Sequence, residues 1–462
     1  MLSNILKRYA SQIEVVSSSE AISKGFETPF LIRAGSTLID SQAWSGGWSD
    51  GSRLIEIFGP DFLVPVTKDE ECFEMKLADF LTSESIIQEG GSSPIYLKDF
   101  HAVSDALLEQ PQLQLYSVPL CFRDDWLNGF YDSMSIGLST MQDFRFLYIG
   151  REGSNTKLHH DVMASHSWSL NLSGCKLWLF TRPDDAKQYY DVWGNLKILS
   201  FLNLDDIITI QRAYRTKESN SDTSQLLSGP IAQLTHELFF TIQMPGESVF
   251  VPSLWHHEVL NIGEGFITSV NQNWIEANGL NRMQQFLQKE LSSIRERTRE
   301  RVKPMYYDAR FELHCQKLLR YQAGGFDLCL FGKFLLFKAD QVLQHANSTI
   351  EIPLNAHGHP YYSPHIKTDQ ATLLTSIVSL IDALEALAQD PFIANLTIHQ
   401  NAEEEEEEIP IRVARCTSLG FEYLARIHEQ LRVPKVRSFF SRNDLIESAK
   451  SLKVVRSLTC NK

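Results

Sequence analysis

The chain has 462 residues and few of the features that mark secreted or membrane-bound proteins. Its seven cysteines stand singly, without a CxxC pair, and an odd number of scattered thiols indicates a reducing compartment. No apolar run reaches the ~20 residues of a membrane span. The N-terminal segment MLSNILKRYASQIEVV lacks the apolar core of a secretory signal. We therefore expect a cytoplasmic protein, with the nucleus as the alternative compartment, and no membrane partner.

Positive charge is also scarce, with 43 Lys and Arg against 57 Asp and Glu and a formal net charge of -14. A general nucleic-acid binder needs a basic face, so we expect no direct nucleic-acid partner. Six consecutive glutamates at 403–408 supply part of the excess. Such a run repels itself and predicts a solvated acidic loop over 401–408; a docking patch for a basic partner is the alternative.

Three regions follow one another along the chain. Residues 1–27 predict an N-terminal arm, either a short amphipathic helix or a loose segment. Residues 28–275 are rich in short runs bounded by Gly, Pro and Asn, which predict strands. The runs are PFLIRAG (29–35), SRLIEIFG (52–59), FLVPV (62–66) and FRFLYIG (144–150), with helices predicted at 76–82, 101–109 and 123–131.

The clearest predicted hairpin joins Trp168–Leu172 to Lys176–Phe180, with Gly174 in the turn. A second group of strands is predicted at 247–251, 259–262 and 266–274, and an insertion at 184–243 separates the groups. The insertion carries a polar surface loop at 217–230.

Residues 276–462 predict a helical C-terminal domain that carries the acidic loop. Its helices offer a surface for a homodimer or for substrate docking. Helical periodicity is present at 279–301, 307–321, 333–347, 368–390 and 417–431.

Two groups of residues suggest a metal site. His159 and Asp161 stand two apart, so in an extended segment they point to one side. Alone this pair is weak evidence for a metal site, because a surface histidine beside a turn aspartate gives the same pattern. A Pro-Gly turn, a strand ended by Pro252, and then His256-His257 add a distant imidazole. Two imidazoles and one carboxylate suit an open iron(II) site, although periodicity does not choose between the two later histidines.

Three segments carry a resemblance to a known family. TKLHHDVMASHSWSLNLSGCKLWLF (156–180), PGESVFVPSLWHHEVLNI (245–262) and ITSVNQNW (267–274) resemble the Jumonji C (JmjC) family of iron(II)- and 2-oxoglutarate-dependent oxygenases, and within it the small protein-hydroxylase branch. The motifs span roughly 140–275. The resemblance implies an α+β fold, with a double-stranded β-helix (jelly-roll or cupin) core, flanking helices and a C-terminal helical domain.

The resemblance also implies a ligand set and its cofactors. Iron(II) would be held by His159, Asp161 and His257, with 2-oxoglutarate and O2 as co-substrates. Structural roles are then left for the other nearby histidines, which are His160, His166 and His256.

A co-substrate site is suggested first by Lys176, which lies in an otherwise apolar strand. A buried ammonium needs an anionic partner, whereas a lysine at a strand edge would reach solvent. The resemblance implies that Lys176 and Thr156 bind the far carboxylate of 2-oxoglutarate and that Asn271 contacts the co-substrate. Ser169 stands where some relatives carry asparagine, so that contact is expected to be lost or bridged by water.

The function implied by the resemblance is hydroxylation of a protein side chain. The expected target is lysine, at C4, in a translation termination (release) factor. A histone lysine or arginine demethylase would use the same iron chemistry and release formaldehyde, but no clustered Cys/His spacing of a chromatin reader is present. A cupin barrel that binds without turnover is a third possibility, which the ligand set and Lys176 disfavour.

Overall fold

The computed structural model describes the residues that build the barrel and its surroundings. The described ranges are 2–33, 50–69, 71–83, 94–109, 115–134, 143–191, 194–216, 226–301, 309–328, 330–335, 337–338, 379 and 382–383. Several predicted features lie wholly or largely outside them, namely the helices at 333–347, 368–390 and 417–431, the acidic loop 401–408, and most of the polar loop 217–230.

The described residues form helices and strands that alternate along the chain. The helices are α1 Leu2–Leu6, α2 Ser18–Lys24, α3 Ser52–Phe58, α4 Leu77–Thr82, α5 Ala102–Glu109, α6 Trp126–Met134, α7 Pro183–Ala186, α8 Leu204–Arg215, α9 Gly279–Arg299 and α10 Ala309–Gln322. The strands are β1 Ala10–Gln12, β2 Glu14–Val16, β3 Phe30–Ile32, β4 Leu63–Lys68, β5 Glu71–Lys76, β6 Tyr96–Phe100, β7 Arg145–Gly150, β8 Asn155–His159, β9 His166–Ser173, β10 Cys175–Thr181, β11 Leu238–Gln243, β12 Ser248–Val251, β13 His256–Ile262 and β14 Ile267–Trp274.

Strands β7 to β14 form a jelly roll. One sheet has the order β12-β9-β14-β7 and the other β11-β10-β13-β8, with antiparallel neighbours throughout. Apart from the β10–β11 pair, successive strands alternate between the two sheets, which is the connectivity of a double-stranded β-helix. The predicted fold class is therefore confirmed.

Six further strands extend the two sheets. β1 adds to β11 in parallel, and β3 adds to β12 with β2 beside it. On the far side of β7 the order continues β6-β4-β5. The alternative of a loose arm for residues 1–27 is wrong, because α1 buries its apolar side chains and both N-terminal strands are paired in the sheets.

Strand β10 shows how the barrel is filled. Trp178 and Phe180 belong to the same apolar cluster as Val249 and Val251 of β12, inside the barrel. The alternate residues, such as Leu177, pack outward against α1 and α8. Because side chains alternate along a strand, Lys176 shares the inward face with Trp178. Both faces are apolar and buried, which explains the continuous hydrophobic run in the sequence.

The predicted hairpin at Gly174 is wrong, because β9 and β10 lie in different sheets. The chain crosses from one sheet to the other at this corner. Gly174 has φ +67, and a Cβ there would lie 2.5 Å from the Ile267 side chain. Asn171 Nδ2 donates to the Gly174 carbonyl at 2.7 Å and closes the corner. A short glycine turn between two apolar strands therefore marks a hairpin and a sheet-to-sheet corner equally well.

The strand predicted at 52–59 is also wrong, because these residues form α3. The alternating isoleucines suggested a strand, yet local contacts favour a helix. The Asp50 carboxylate accepts from the Ser52 amide at 2.9 Å, and Arg53 pairs with Glu56 at 2.9 Å. Leu54 is fully buried by the helix.

Other boundaries agree more closely with the sequence. The helices predicted at 76–82 and 101–109 correspond to α4 and α5, and the predicted helix at 123–131 begins later, at Trp126. The insertion predicted at 184–243 ends in a core strand, because 238–243 is β11 of the jelly roll. No helix of the described residues combines the length and apolar character needed to cross a bilayer.

Candidate metal centre and co-substrate pocket

His159 and His257 face each other across neighbouring strands. They are register partners on β8 and β13, and their ring centroids lie 4.3 Å apart. Asp161 follows two residues after the end of β8. One ligand atom from each of the three side chains lies within 4.8 Å of the others, so the group could hold one metal ion.

Backbone carbonyls orient both imidazoles. His159 Nδ1 lies 2.7 Å from the Lys157 carbonyl, and His257 Nδ1 lies 3.3 Å from the Trp255 carbonyl. A carbonyl oxygen only accepts, so each Nδ1 carries the proton and each Nε2 keeps a free lone pair. Burial lowers the pKa of His159 to about 3 and also lowers the pKa of His257. Both rings are therefore neutral, as metal ligation requires.

Asp161 is held by two hydrogen-bond donors. The Ser167 hydroxyl donates to Oδ2 at 2.7 Å, and Asn273 Nδ2 donates to Oδ1 at 3.1 Å. The next residues form a tight 3-10 turn in which Met163 and Ala164 have φ of 58° and 53°. Non-glycine residues seldom adopt this conformation, which costs roughly 1–3 kcal/mol each. The turn reverses the chain directly after Asp161.

The neighbouring histidines are held by other contacts, although His160 lines the same cavity as His159. The rings of His160 and His256 meet edge to face at 4.9 Å, and the Tyr190 hydroxyl lies 2.6 Å from His256 Nε2. His166 accepts from the Ser253 amide at 2.9 Å. All three therefore make contacts outside the group of three.

Lys176 is buried inside the barrel, with 1% of its surface exposed. Its Nζ donates to the Ser269 hydroxyl and lies 5.7 Å from the centroid of the Tyr148 ring. Among the described residues, no carboxylate forms an ion pair with it. Burial alone lowers the pKa of Lys176 to about 7. The expectation of a lysine reaching solvent at a strand edge is thus wrong.

Polar side chains continue from Lys176 across the inner face of the barrel. Ser269 Oγ lies 3.4 Å from Asn271 Oδ1, and Ser169 donates to the same oxygen at 2.6 Å. Thr156, on β8, hydrogen-bonds the Tyr96 hydroxyl. Four strands, β8, β9, β10 and β14, therefore bring the four residues assigned to the co-substrate site from the sequence to one end of the barrel interior.

A cavity of about 550 Å³ opens onto this centre. His159, Asp161 and Thr156 line it from the barrel. A row of aromatic rings forms a second wall: Tyr131 lies 5.3 Å from Phe144, Phe144 lies 6.3 Å from Phe146, and Phe146 lies 6.4 Å from Tyr148. A third part of the lining is Gly324, Gly325 and Leu330, which follow α10.

Residues 146–274 match the family described as "JmjC domain, hydroxylase". The 2-oxoglutarate and iron-dependent oxygenase JMJD4 of Homo sapiens is 32% identical over 323 residues, which are 65% of this chain and 69% of that protein. The chain belongs to the JmjC family of 2-oxoglutarate- and iron-dependent oxygenases. It is also 31% identical to the Arginine-specific demethylase JMJ20 of Arabidopsis thaliana over 269 residues, 55% of this chain and 51% of that protein. A third JmjC relative, the JmjC domain-containing protein 1 of Schizosaccharomyces pombe, is 36% identical over 184 residues, 40% of this chain and 33% of that protein.

The residues of this JmjC chain fit the groups that the family uses. Two neutral imidazoles and one carboxylate are the donor set of a non-haem iron(II) site. Lys176 is a buried cation without a carboxylate partner among the described residues, and an anionic ligand would neutralise it. The fit rests on donor chemistry and on this uncompensated charge.

The sequence analysis missed several residues of the site. Ser167 orients Asp161, and Tyr148 lies beside Lys176. Ser269 and Asn273 shared a strand face with Asn271 in the sequence, so alternation could have assigned them. Nothing local to the sequence singled out Tyr148 or the cavity residues that follow α10.

Proposed function

We propose that the chain hydroxylates a protein lysine side chain at C4, with iron(II), 2-oxoglutarate and O2, and that a translation termination factor is a substrate. The observation that carries the proposal is the placement of His159, Asp161 and His257 within 4.8 Å, at a cavity next to a buried lysine. Similarity to JMJD4 over 65% of this chain supports the reaction class.

The bound iron and 2-oxoglutarate supply oxidative chemistry: O2 converts 2-oxoglutarate to succinate and carbon dioxide, and one oxygen atom replaces a C–H bond of the substrate with C–OH. The two imidazoles and Asp161 would hold the metal from one side and leave the cavity side free. Lys176 and Thr156 would bind the far carboxylate of 2-oxoglutarate.

The rest of the barrel orients these groups and excludes water. The Trp178 ring stacks on His257 at 5.7 Å, and its Nε1 donates to Gln243 at 2.8 Å. Together with Phe180, it closes the barrel interior behind the metal ligands. An oxidant formed without a substrate in place is wasted, so a dry interior wall favours coupled turnover.

Demethylation of a methylated arginine or lysine is the second candidate. Relatives named as arginine-specific demethylases favour it, among them JMJ22 of Arabidopsis thaliana, 26% identical over 255 residues. Both reactions act on cationic side chains, so an aromatic cavity with acidic groups accommodates either. The products differ: hydroxylation adds one oxygen to the substrate, whereas demethylation removes one methyl group as formaldehyde.

Mass spectrometry of peptides separates these outcomes. Lysine-containing peptides from a termination factor, and methylated histone peptides, are incubated with the full chain, iron(II), 2-oxoglutarate and O2. We expect a gain of one oxygen on lysine that His159→Ala abolishes. Loss of methyl would support the demethylase instead. Oxygen addition that survives in His159→Ala would remove the metal assignment.

A further inference from the structure

The cavity contains a charged group that neither the metal nor the co-substrate uses. Asp99 lies near the end of β6, is exposed to solvent and lines the cavity. Its backbone φ is +59°, and the register between β6 and β7 shifts between Leu97 and Phe100. Bulges of this kind redirect a side chain, and aspartate tolerates the left-handed conformation better than most residues. The bulge places both Lys98 and Asp99 in the lining.

One oxygen of Asp99 is already occupied. The Tyr148 hydroxyl donates to Oδ1 at 2.5 Å. Among the described residues, no other donor to this carboxylate is present, so Oδ2 is available to a ligand. Asp143, the other acid of the same wall, binds Arg145 through Oδ2 and His101 through Oδ1, at 2.5 and 3.4 Å. Asp99 therefore has the one available carboxylate oxygen on this wall.

The surroundings of Asp99 suit a cation with an aliphatic stem. His101 lines the cavity two residues further along, and its ring lies 4.9 Å from Phe146. Tyr131, Phe146 and Tyr148 present aromatic surface to the same space. Aromatic faces attract cations and also cover methylene groups.

We propose that Asp99, His101 and the rings of Tyr131, Phe146 and Tyr148 form a subsite for the protonated amine of the substrate lysine, with Asp99 as its charge partner. This inference deepens the proposed lysyl hydroxylase function and rests on it. Asp99 is a specificity-determining residue. Because Asp99 is exposed, an amine bound to it keeps part of its hydration.

The geometry favours an ammonium over a guanidinium. Arginine binds carboxylates best through two parallel hydrogen bonds, which need both oxygens. The Tyr148 hydroxyl already donates to one oxygen of Asp99, which disfavours a symmetric fork, whereas an ammonium is a point charge and needs only one oxygen. The subsite therefore distinguishes lysine from arginine through a hydroxyl group of the protein.

Binding of small probes tests the subsite without turnover. The full chain is loaded with manganese(II) and N-oxalylglycine, and calorimetry or ligand-observed NMR measures Nα-acetyl-lysine amide against Nα-acetyl-norleucine amide, which lacks the charge. We expect the lysine probe to bind more tightly. Asp99→Asn, which tolerates the same backbone conformation, should weaken it by roughly tenfold, a modest effect because the site is solvent-accessible. Glu56→Gln, on exposed α3, is the matched control for general charge and should change nothing.

Two further variants test the sign and the geometry. Lys98→Met removes a positive charge beside Asp99 that would repel an ammonium, so the lysine probe should bind more tightly. Tyr148→Phe removes the donor to Asp99 Oδ1. The affinity for Nα-acetyl-arginine amide should then rise relative to that for the lysine probe. Equal affinity for lysine and norleucine, no binding of either, or an unchanged affinity in Asp99→Asn would overturn the subsite.

Turnover separates the subsite from the proposed function. If wild type hydroxylates lysine peptides and Asp99→Asn leaves KM unchanged, the subsite is wrong while the function stands. If wild type binds the lysine probe through Asp99 but oxidises no lysine peptide, the hydroxylase function fails while the subsite stands.

Discussion

Two histidine pairs lie back to back where β8 and β13 meet. The inner pair, His159 and His257, faces the barrel and shares its space with Asp161. The outer pair, His160 and His256, packs ring against ring beside Tyr190. Each inner histidine is the sequence neighbour of an outer one, so composition cannot distinguish the two pairs. The direction of each side chain from the strand decides which pair can ligate a metal.

The largest expected difference between the pairs is in metal binding. His159→Ala should abolish turnover and weaken manganese(II) binding by more than about 100-fold, since even a residue that merely orients a ligand contributes roughly 10–100-fold. His160→Ala should keep both properties. Calorimetric titration with manganese(II), and succinate detected by NMR, provide the measurements. Equal losses in the two variants would contradict the inner and outer assignment.

Lys176 extends the comparison to the second half of the site. Lys176→Met keeps the apolar stem and removes the charge, so 2-oxoglutarate should bind more weakly by on the order of 30-fold or more, as expected for a buried charge that loses its partner. Metal affinity should be unchanged, which distinguishes this variant from His159→Ala. An unaltered 2-oxoglutarate affinity in the variant would exclude Lys176 as the carboxylate partner.

The pKa of Lys176 predicts a pH effect on stability in the absence of iron and 2-oxoglutarate. Burial lowers it from 10.5 to about 7, so folding disfavours the charged form. The free-energy penalty for burying the charged amine is complete below pH 7. It disappears as the pH rises to 10.5, the pKa of Lys176 in the unfolded chain. Relative to Lys176→Met, wild type should gain about 1.4 kcal/mol of unfolding free energy per pH unit in this window. Denaturant titrations at several pH values would show the gain, and parallel curves would contradict it.

The smallest effects should come from the residues that support each pair. Ser167→Ala removes one donor to Asp161 and should weaken metal binding by roughly 10–100-fold. Tyr190→Phe removes one hydrogen bond to His256 and should lower the unfolding free energy by about 1 kcal/mol without changing metal affinity. The test is to measure metal affinity and unfolding free energy in both variants. Weaker metal binding in Tyr190→Phe would show that the outer pair contributes to the metal site.

The facing of several site residues was predictable from local pattern. The two-residue spacing of His159 and Asp161, and the polar face of β14, are readable because side chains alternate along an extended chain. The jelly roll itself came from the resemblance of three motifs, and their order along the chain agrees with the observed strand order.

What could not be predicted depends on contacts distant in sequence. The Gly174 turn gave no sign that its two strands enter different sheets, because that choice is made by pairing with β11 to β14. The helix α3 was misassigned because its isoleucines alternate by chance. Asp99 faces the cavity only through a bulge, and the segment after α10 reaches the cavity only through packing.

The glycines and leucine after α10 place part of the cavity wall outside the matched segment 146–274. Asp99 and Tyr131 likewise come from before it. Part of the cavity wall is thus encoded outside the stretch that carries the three candidate metal ligands. Substitutions at Asp99, Tyr131 or the glycines after α10 would therefore change the shape and charge of the cavity without replacing any of the three candidate metal ligands.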